Sequence, residues 1–272
     1  MYSDQDISKQ KINVMLVGAT GVGKSLLVNA IYGEDVVKSG DGEPITQFIQ
    51  KIEIPSKGLV LWDTKGIESK DYENTLKTIS QDIANKFWYS NIYDGSDEPP
   101  HVLWLCLKES SKRVEKREND LINIAKNFGI PTVIVFTNMQ HENGIDFFKS
   151  TKKVLDREHA SFIKDRYIRV NSASFMFNNM TIPAVGLEKL LDLTKSCFEE
   201  GKHNVARRFY EVKLLRTLLE VQRVKLEMQR IKEAEYAEDV EYVECVVSEY
   251  DKWKDAFPVG IFKKRRFWWL LP

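Results

Sequence analysis

Over residues 11–200, short runs of apolar residues alternate with longer stretches in which apolar positions recur every three or four residues. Runs of the first kind predict buried strands, and stretches of the second kind predict helices. The predicted strands cover residues 11–17, 48–54, 58–64, 101–107, 131–137 and 167–173. The predicted helices cover residues 25–33, 70–90, 115–128 and about 186–200. Strands that alternate with helices predict an α/β fold, with a mostly parallel central sheet and helices on both of its faces.

The pattern changes after residue 200, where charged and apolar residues alternate without a strand signal as far as about residue 253. Apolar positions such as Val221, Val224 and Met228 recur at spacings of three and four, which is typical of helices. Two interpretations of this extension stay open: a helical hairpin packed against the first domain, or an arm that pairs with another subunit or a partner. The predicted segments are a polar tail over residues 1–10, an α/β domain over 11–200, a C-terminal α-helical extension over 201–256 and a tail over 257–272.

The C-terminal tail combines positive charge with aromatic residues. Four consecutive basic residues, at positions 263–266, precede Phe267, Trp268 and Trp269. This composition is typical of segments that lie at an anionic bilayer surface. A disordered or buried tail is the other interpretation. The sequence stops soon afterwards, at Pro272, which leaves open whether the natural protein continues.

Composition narrows the class of protein. Among 272 residues, 40 basic side chains balance 40 acidic ones, so the net charge does not indicate a nucleic-acid partner. Cys106, Cys197 and Cys245 are too widely spaced for a zinc site or a disulfide framework, and they fit a reducing compartment. The N-terminal residues lack the apolar stretch of a signal peptide, and no run of about 18 apolar residues predicts a membrane span. We therefore expect a cytoplasmic protein, with the C-terminal tail as its expected peripheral contact with a membrane.

The first predicted strand runs into a glycine-rich turn, GATGVGKS at residues 18–25, which a predicted helix follows. This segment satisfies the P-loop pattern G-x-x-x-x-G-K-[ST] in full, with the flanking strand and helix that the pattern requires. Glycines allow main-chain N–H groups to approach phosphate oxygens, and the start of the helix adds a positive field. We expect Lys24 to reach the β- and γ-phosphates and Ser25 to bind Mg²⁺. The predicted nucleotide contacts in this segment are Gly18, Thr20, Gly21, Val22, Gly23, Lys24, Ser25 and Leu26.

Two later segments fit the same chemistry. Asp63 ends a predicted strand in the sequence DTKG and suits the carboxylate that holds Mg²⁺ through water. Gly66, the last residue of DTKG, is predicted to contact the γ-phosphate through its N–H and so to sense the nucleotide. Thr46 lies in a loop that contains Gly and Pro, and it is predicted to complete the magnesium shell. The predicted catalytic positions are thus Lys24, Thr46 and Gly66, and the predicted magnesium ligands are Ser25, Thr46 and Asp63.

The segments GATGVGKSLLVNAIYG, PIT and DTKG together resemble the TRAFAC-class P-loop GTPases, and among these the Era-like 50S ribosome-binding GTPase domain. The resemblance covers about residues 11–200. It implies a G domain that binds GTP or GDP with Mg²⁺, hydrolyses GTP slowly and changes conformation with the nucleotide. By analogy with the family it also implies contact with ribosomes or RNA. We further expect a homodimer or a protein partner, bound through the G domain face or the helical extension.

In this family, a loop of the form [NT]-K-x-D after the fifth strand reads the base. The matching positions include Thr137, Asn138 and Gln140, so both the lysine and the aspartate of the pattern are replaced. The carboxamide of Gln140 offers one acceptor oxygen and an NH₂ donor, whereas the aspartate accepts two hydrogen bonds from guanine. Ser172 and Ala173 match the family's S-A-x loop, in which a main-chain N–H recognises guanine O6. We therefore expect GTP as the ligand, with relaxed base specificity.

The residue after Gly66 is Ile67, whereas Ras-type enzymes carry a water-orienting glutamine there. Because isoleucine cannot hydrogen-bond a water, we expect help from a second subunit, a partner or a bound cation. Gly21 stands where some relatives carry a potassium-coordinating asparagine, so a cation is the least favoured of the three. A nucleotide-holding scaffold with little hydrolysis and an ATPase are the alternative functions.

Overall fold

The computed structural model describes residues 11–34, 50–64, 66, 72–89, 99–109, 116–139, 144–177 and 180–233. The strands are β1 (Ile12–Gly18), β2 (Gln50–Ile54), β3 (Leu59–Asp63), β4 (Val102–Lys108), β5 (Thr132–Thr137), β6 (Tyr167–Arg169), β7 (Phe175–Phe177) and β8 (Met180–Ile182). The helices are α1 (Lys24–Tyr32), α2 (Tyr72–Tyr89), α3 (Lys116–Phe128), α4 (Ile145–Ile163) and α5 (Leu187–Glu233), and a short 3₁₀ turn covers Pro55–Lys57.

Six of the strands form one sheet in the order β2-β3-β1-β4-β5-β6. β2 runs antiparallel to β3, and the other neighbouring pairs of this sheet are parallel. Helices connect the parallel strands, because a parallel pair needs a crossover rather than a tight turn. The predicted fold class is therefore confirmed: a mostly parallel sheet with helices, and a helical C-terminal region.

The inner strands β1 and β5 are mostly apolar, and they are buried along their whole length. Every residue of β1 and of β5 is buried. Trp104 on β4 is the largest fully buried side chain among the described residues, and its Nε1 donates a hydrogen bond to Thr194 Oγ1 on α5 over 3.0 Å. The indole is thus buried with its polar atom satisfied, which anchors the first part of α5 to the sheet.

The parallel strands end together at one edge of the sheet. In the register, Leu16 of β1 lies beside Asp63 of β3, and Gly18 lies beside Cys106 of β4. Thr137, the last residue of β5, lies beside Lys108 at the end of β4. Ligands of open α/β sheets bind at this carboxyl edge, so the edge is where a site is expected.

Two elements go beyond the sequence pattern. Helix α4, between β5 and β6, and the antiparallel hairpin of β7 and β8 are not among the predicted elements. Helix α5 continues to Glu233, past residue 200, where the sequence predicts the helix to end. It passes through Gly201, where a Cβ would overlap the carbonyl oxygen of His101, so the glycine allows the helix to approach the start of β4.

The C-terminal part of the chain is described only in part. The chain divides into two compact units between Arg208 and Phe209. Residues 234–272, which include the basic and aromatic tail, lie outside the described residues. Within the residues that the structure describes, no helix is both long and apolar enough to cross a bilayer.

His101 provides a pH test of this fold. Its Nδ1 accepts a hydrogen bond from the main-chain N–H of Asn13 over 3.0 Å, and its ring packs edge-on against Phe198. Burial, helped by Lys202, lowers the pKa of His101 from 6.5 to about 4. The unfolded chain therefore takes up this proton at a higher pH than the folded chain does, so stability is lost as the pH falls from 6.5 towards 4.

We expect this residue to reduce the free energy of unfolding by about 2–3 kcal/mol between pH 7 and pH 4.5. The His101→Asn variant keeps an acceptor near Nδ1 but does not titrate, so it should lose that much less stability over the same range. Urea unfolding of both proteins at the two pH values measures the difference. Equal losses in the two proteins would contradict the assignment of a neutral, buried imidazole.

Candidate functional site

The turn between β1 and α1 is shaped by its glycines. Gly18, Gly21 and Gly23 have φ angles of 151°, 74° and 91°, which residues with a side chain rarely adopt. At Gly18 a Cβ would also lie 2.5 Å from the carbonyl oxygen of Cys106 on β4. Gly23 is the N-cap of α1 and makes no side-chain capping bond. The first N–H groups of α1 are therefore left for a ligand or solvent, which suits an anion.

Lys24 places a buried positive charge in this turn. The residue is 7% exposed, which is unusual for lysine. Its Nζ donates to the carbonyl oxygens of Gly18 and Ala19, each 3.2 Å away. Burial lowers the pKa of Lys24, while Asp63 and Cys106 act in the opposite direction. An anion bound in the turn would favour the charged ammonium, so the side chain is suited to a phosphate.

Ser25 and Asp63 form a pair of oxygen ligands beside the turn. Ser25 Oγ donates a hydrogen bond to Asp63 Oδ2 over 3.1 Å, and Asp63 is fully buried at the end of β3. Among the described residues, no three His, Cys, Asp or Glu side chains converge as a metal site would require. Mg²⁺ commonly takes only one or two protein ligands and completes its shell with water and phosphate oxygens. The Ser25–Asp63 pair fits a Mg²⁺ ion that binds together with a nucleotide.

Gly66 lies directly against the glycine-rich turn. A Cβ at Gly66 would lie 2.6 Å from both Cα and Oγ1 of Thr20 and 2.9 Å from its main-chain nitrogen. The Thr20 hydroxyl is itself buried and has no hydrogen-bond partner within the described part of the chain. The contact leaves no room for a side chain at Gly66, so the structure brings the DTKG segment and the turn together.

Thr137 ties the end of β5 to the same turn. Its hydroxyl donates to the carbonyl oxygen of Val22 and lies 3.1 Å from that of Leu107. The next residue, Asn138, has a φ of 53°, and its Oδ1 would lie 3.9 Å from a Cβ placed at Gly23. The segment after β5 therefore starts beside the turn that precedes α1.

The family comparison addresses this part of the chain. Residues 13–138 match the sequence model of the 50S ribosome-binding GTPase family. These residues form a GTPase domain of that family. The matched range contains the glycine-rich turn, Asp63, Gly66 and Thr137, so the site described above belongs to the GTPase domain.

The chain is also similar to two individual proteins, at sequence identities below 30%. The chain is 26% identical over 243 residues to Immune-associated nucleotide-binding protein 3 of Arabidopsis thaliana, covering 83% of this chain and 69% of that protein. It is 28% identical over 133 residues to Probable GTP-binding protein EngB of Koribacter versatilis, covering 48% of this chain and 64% of that protein. The match to this second relative thus spans less than two thirds of its length.

Solved structures give weaker matches. A probable GTP-binding protein engB is 18% identical with a TM-score of 0.47, covering 69% of this chain and 99% of that chain. The bacterial selenocysteine-specific elongation factor EF-Sec is also 18% identical with a TM-score of 0.47, covering 70% of this chain and 29% of that chain. The evidence for the fold of the GTPase domain is its own strand order, β2-β3-β1-β4-β5-β6.

Several predicted positions are not among the contacts described above, and others lie outside the described residues. On α1, Leu26 is 45% exposed. Ser172 is half-buried and Ala173 is exposed, in the turn shortly after β6. Thr46 and Gln140 lie outside the described residues, as does Ile67. The roles of these residues in the GTPase domain stay predictions.

The sequence does not single out Glu109 and Arg169, which form an ion pair at the same edge of the sheet. Both nitrogens of the contact, Arg169 Nε and Nη2, donate to the two carboxylate oxygens of Glu109, whose side chain is fully buried. The partners are 60 positions apart in the chain, so no local pattern could have paired them. The one sequence feature that could have indicated a role for Glu109 is its position directly after β4, at the carboxyl edge of the sheet.

The hydroxyl of Thr137 gives a prediction for the GTPase domain. Thr137→Val removes the donor to Val22 and should lower the free energy of unfolding by about 1–3 kcal/mol. It should also weaken nucleotide binding, because the turn loses its tie to β5. Thr132→Val is the matched control, since Thr132 lies at the other end of β5 and its hydroxyl donates to Ile130 O, two positions away, over 3.2 Å. Urea unfolding and nucleotide titration of both variants test this, and equal binding losses would contradict it.

Proposed function

We propose that this protein binds GTP and GDP with Mg²⁺, hydrolyses GTP slowly to GDP and phosphate, and changes conformation with the bound nucleotide. The observation that carries the proposal is the convergence of Lys24, Ser25 and Asp63 on the glycine-rich turn at the start of α1. A buried ammonium, a hydroxyl–carboxylate pair and the helix N–H groups together match what a magnesium-bound polyphosphate requires. The family of residues 13–138 supports guanine as the base.

The chain's own residues suggest how hydrolysis would proceed. When bound, Mg²⁺ neutralises charge on the β- and γ-phosphate oxygens. Lys24 would hold the same oxygens, and the N–H of Gly66 would lie near the γ-phosphate, because Gly66 packs on Thr20. Ile67 cannot orient the attacking water, so turnover should be slow, on the order of 10⁻⁴–10⁻² s⁻¹ without a partner. A second subunit or another protein would then accelerate it.

A scaffold that holds nucleotides with relaxed base specificity is the second candidate. Asn138 favours it, because this residue stands at the lysine position of the base-reading loop and has the left-handed φ of 53°. An asparagine cannot extend along a base as a lysine does, and Gln140 replaces the carboxylate that pairs with guanine. Loss of one such hydrogen bond would cost about 1–3 kcal/mol of selectivity.

Competition between nucleotides tests the base. A fluorescent GDP analogue bound to the full chain is displaced by GTP, ATP or XTP in the presence of Mg²⁺. We expect GTP to displace it at the lowest concentration, with XTP closer to GTP than in a GTPase with an intact aspartate. Tighter binding of ATP would contradict the proposal and favour an ATPase.

Phosphate release at increasing protein concentration separates the switch from the scaffold. A rate per molecule that rises with concentration supports activation by a second copy of the chain. Nucleotide binding without any phosphate release would contradict the switch and support the scaffold.

We also propose a cytoplasmic protein whose C-terminal tail contacts anionic membranes. The support is compositional: four basic residues at 263–266, followed by aromatic ones. Co-sedimentation with vesicles that contain phosphatidylserine should retain the full chain and release a version that ends at Val259. Equal retention of the two proteins would contradict this role of the tail.

A further inference from the structure

We propose that Glu109 is a positioning residue for nucleoside recognition: with Arg169, it fixes both ends of the segment that carries the base-reading positions after β5. The inference rests on the proposed function, because it assigns a role within nucleotide binding. It concerns the part of the site that recognises the base and ribose, rather than the phosphate-binding turn.

Glu109 contacts the residues at which this segment begins and ends. Its main-chain N–H donates to the carbonyl oxygen of Thr137, the last residue of β5, over 2.9 Å. Its carboxylate packs against Gly144, the N-cap of α4, so closely that a Cβ there would overlap it. Asn138 and Gln140 lie between these two anchored positions in the sequence. Movement of Glu109 would therefore shift both ends of the segment.

Arg169 connects the same carboxylate to the third base-reading element. It ends β6, three residues before Ser172, and its Nη2 donates to Glu109 Oε2 over 3.0 Å. The Glu109 side chain is 0% exposed and that of Arg169 is 20% exposed. Breaking a buried ion pair by changing one partner is strongly destabilising for the structure around it. The pair thus holds the ends of β4, β5 and β6 in one arrangement.

The expected effect is confined to the nucleoside. Lys24 and Ser25 lie on α1, and Asp63 lies on β3, which β1 and β4 separate from β5 and β6 in the sheet order. Thr137 ties the end of β5 to the turn through its own hydroxyl, which donates to Val22 O, and a change in the Glu109 carboxylate leaves this bond in place. Displacement of the segment after Thr137 should therefore weaken the binding of nucleotides and leave the binding of inorganic polyphosphate unchanged. A general loss of stability would instead weaken the binding of both ligands together.

Calorimetric titration of the full chain with Mg-GDP and with Mg-tripolyphosphate makes this distinction. Glu109→Gln keeps the size of the side chain and removes its charge. We expect it to weaken the binding of Mg-GDP by about tenfold or more, and to change the binding of Mg-tripolyphosphate by less than about twofold. Glu200→Gln is the matched control, because Glu200 pairs with Arg166, just before the opposite end of β6. Glu200→Gln should leave the affinity for both ligands unchanged.

Gly144→Ala tests the same contact from the other residue. The φ of Gly144 is −87°, which alanine adopts freely, so its effect must come through Glu109. We expect Gly144→Ala to weaken Mg-GDP in the wild-type background and to have no effect in a Glu109→Ala background. This dependence on background is a result that a merely destabilising substitution would not give.

The inference is overturned if Glu109→Gln binds Mg-GDP as the wild type does, or loses both ligands equally. It is also overturned if Glu200→Gln reproduces the selective loss. Wild-type protein that binds Mg-GDP in these cases leaves the proposed function standing. Wild-type protein that binds neither ligand contradicts the proposed function and the inference together.

Discussion

The Lys24→Ala variant should bind Mg-GTP at least about 100-fold more weakly than the wild type, because it loses charge-assisted contacts with the β- and γ-phosphates. The Lys24 ammonium already lies within the turn, where its Nζ donates to Gly18 O and Ala19 O at 3.2 Å. A phosphate oxygen would replace these carbonyl acceptors as the partner of the charge. Displacement of a fluorescent GDP analogue by Mg-GTP measures the change.

Lys24→Met separates the loss of charge from the loss of packing. Burial lowers the pKa of Lys24 despite the attraction of Asp63, so the charge itself costs stability in the folded protein. The methionine variant should therefore melt at or above the wild-type temperature without nucleotide, and still fail to bind it. Retained affinity for Mg-GTP would contradict the assignment of the phosphate site, and a large drop in melting temperature would contradict the account of the buried charge.

The Gly66→Ala variant should lose affinity for GTP by about tenfold or more, while its affinity for GDP changes little. The added methyl group cannot occupy its place 2.6 Å from Cα of Thr20, so the DTKG segment must move away from the turn. Only a nucleotide with a γ-phosphate is expected to depend on the N–H of Gly66. Parallel titrations with GDP and a non-hydrolysable GTP analogue give the ratio.

Gly33→Ala is the control for this substitution. Gly33 ends α1 with a φ of 100°, and a Cβ there meets no described atom within 4 Å. Its replacement should cost about 1 kcal/mol of stability through backbone strain and leave both affinities unchanged. If Gly66→Ala weakened GDP and GTP to the same extent, Gly66 would not act as the nucleotide sensor.

The part of the site that could be predicted from the sequence is the part formed by residues close together in the chain. Along β1, the turn and α1, an apolar run, glycines and a lysine–serine pair succeed one another within a few residues. Each feature has a physical cause that acts at short range, so the strand and the helix that flank the turn are predicted close to where the structure has them. Asp63 follows from the same logic, because it ends a buried strand that pairs with β1.

Long-range contacts explain what the sequence does not predict. In the sequence, nothing distinguishes Glu109 and Arg169 from ordinary surface charges. Their pairing becomes visible only when β4 and β6 are placed in one sheet. The sequence does not predict the hydrogen bond that the Thr137 hydroxyl donates to the main chain of Val22, a residue 115 positions away. The short β7–β8 hairpin has three residues in each strand, too few for a period to show.

The proposed function depends above all on the main-chain N–H groups of the turn between β1 and α1, which are expected to bind a magnesium-bound polyphosphate. Nuclear magnetic resonance of the full chain, labelled with ¹⁵N only at glycine, observes those groups directly. On addition of Mg-GDP, the signals of Gly21 and Gly23 should move and saturate, while those of Gly58 and Gly129 stay in place. Unchanged Gly21 and Gly23 signals at saturating nucleotide would contradict the account.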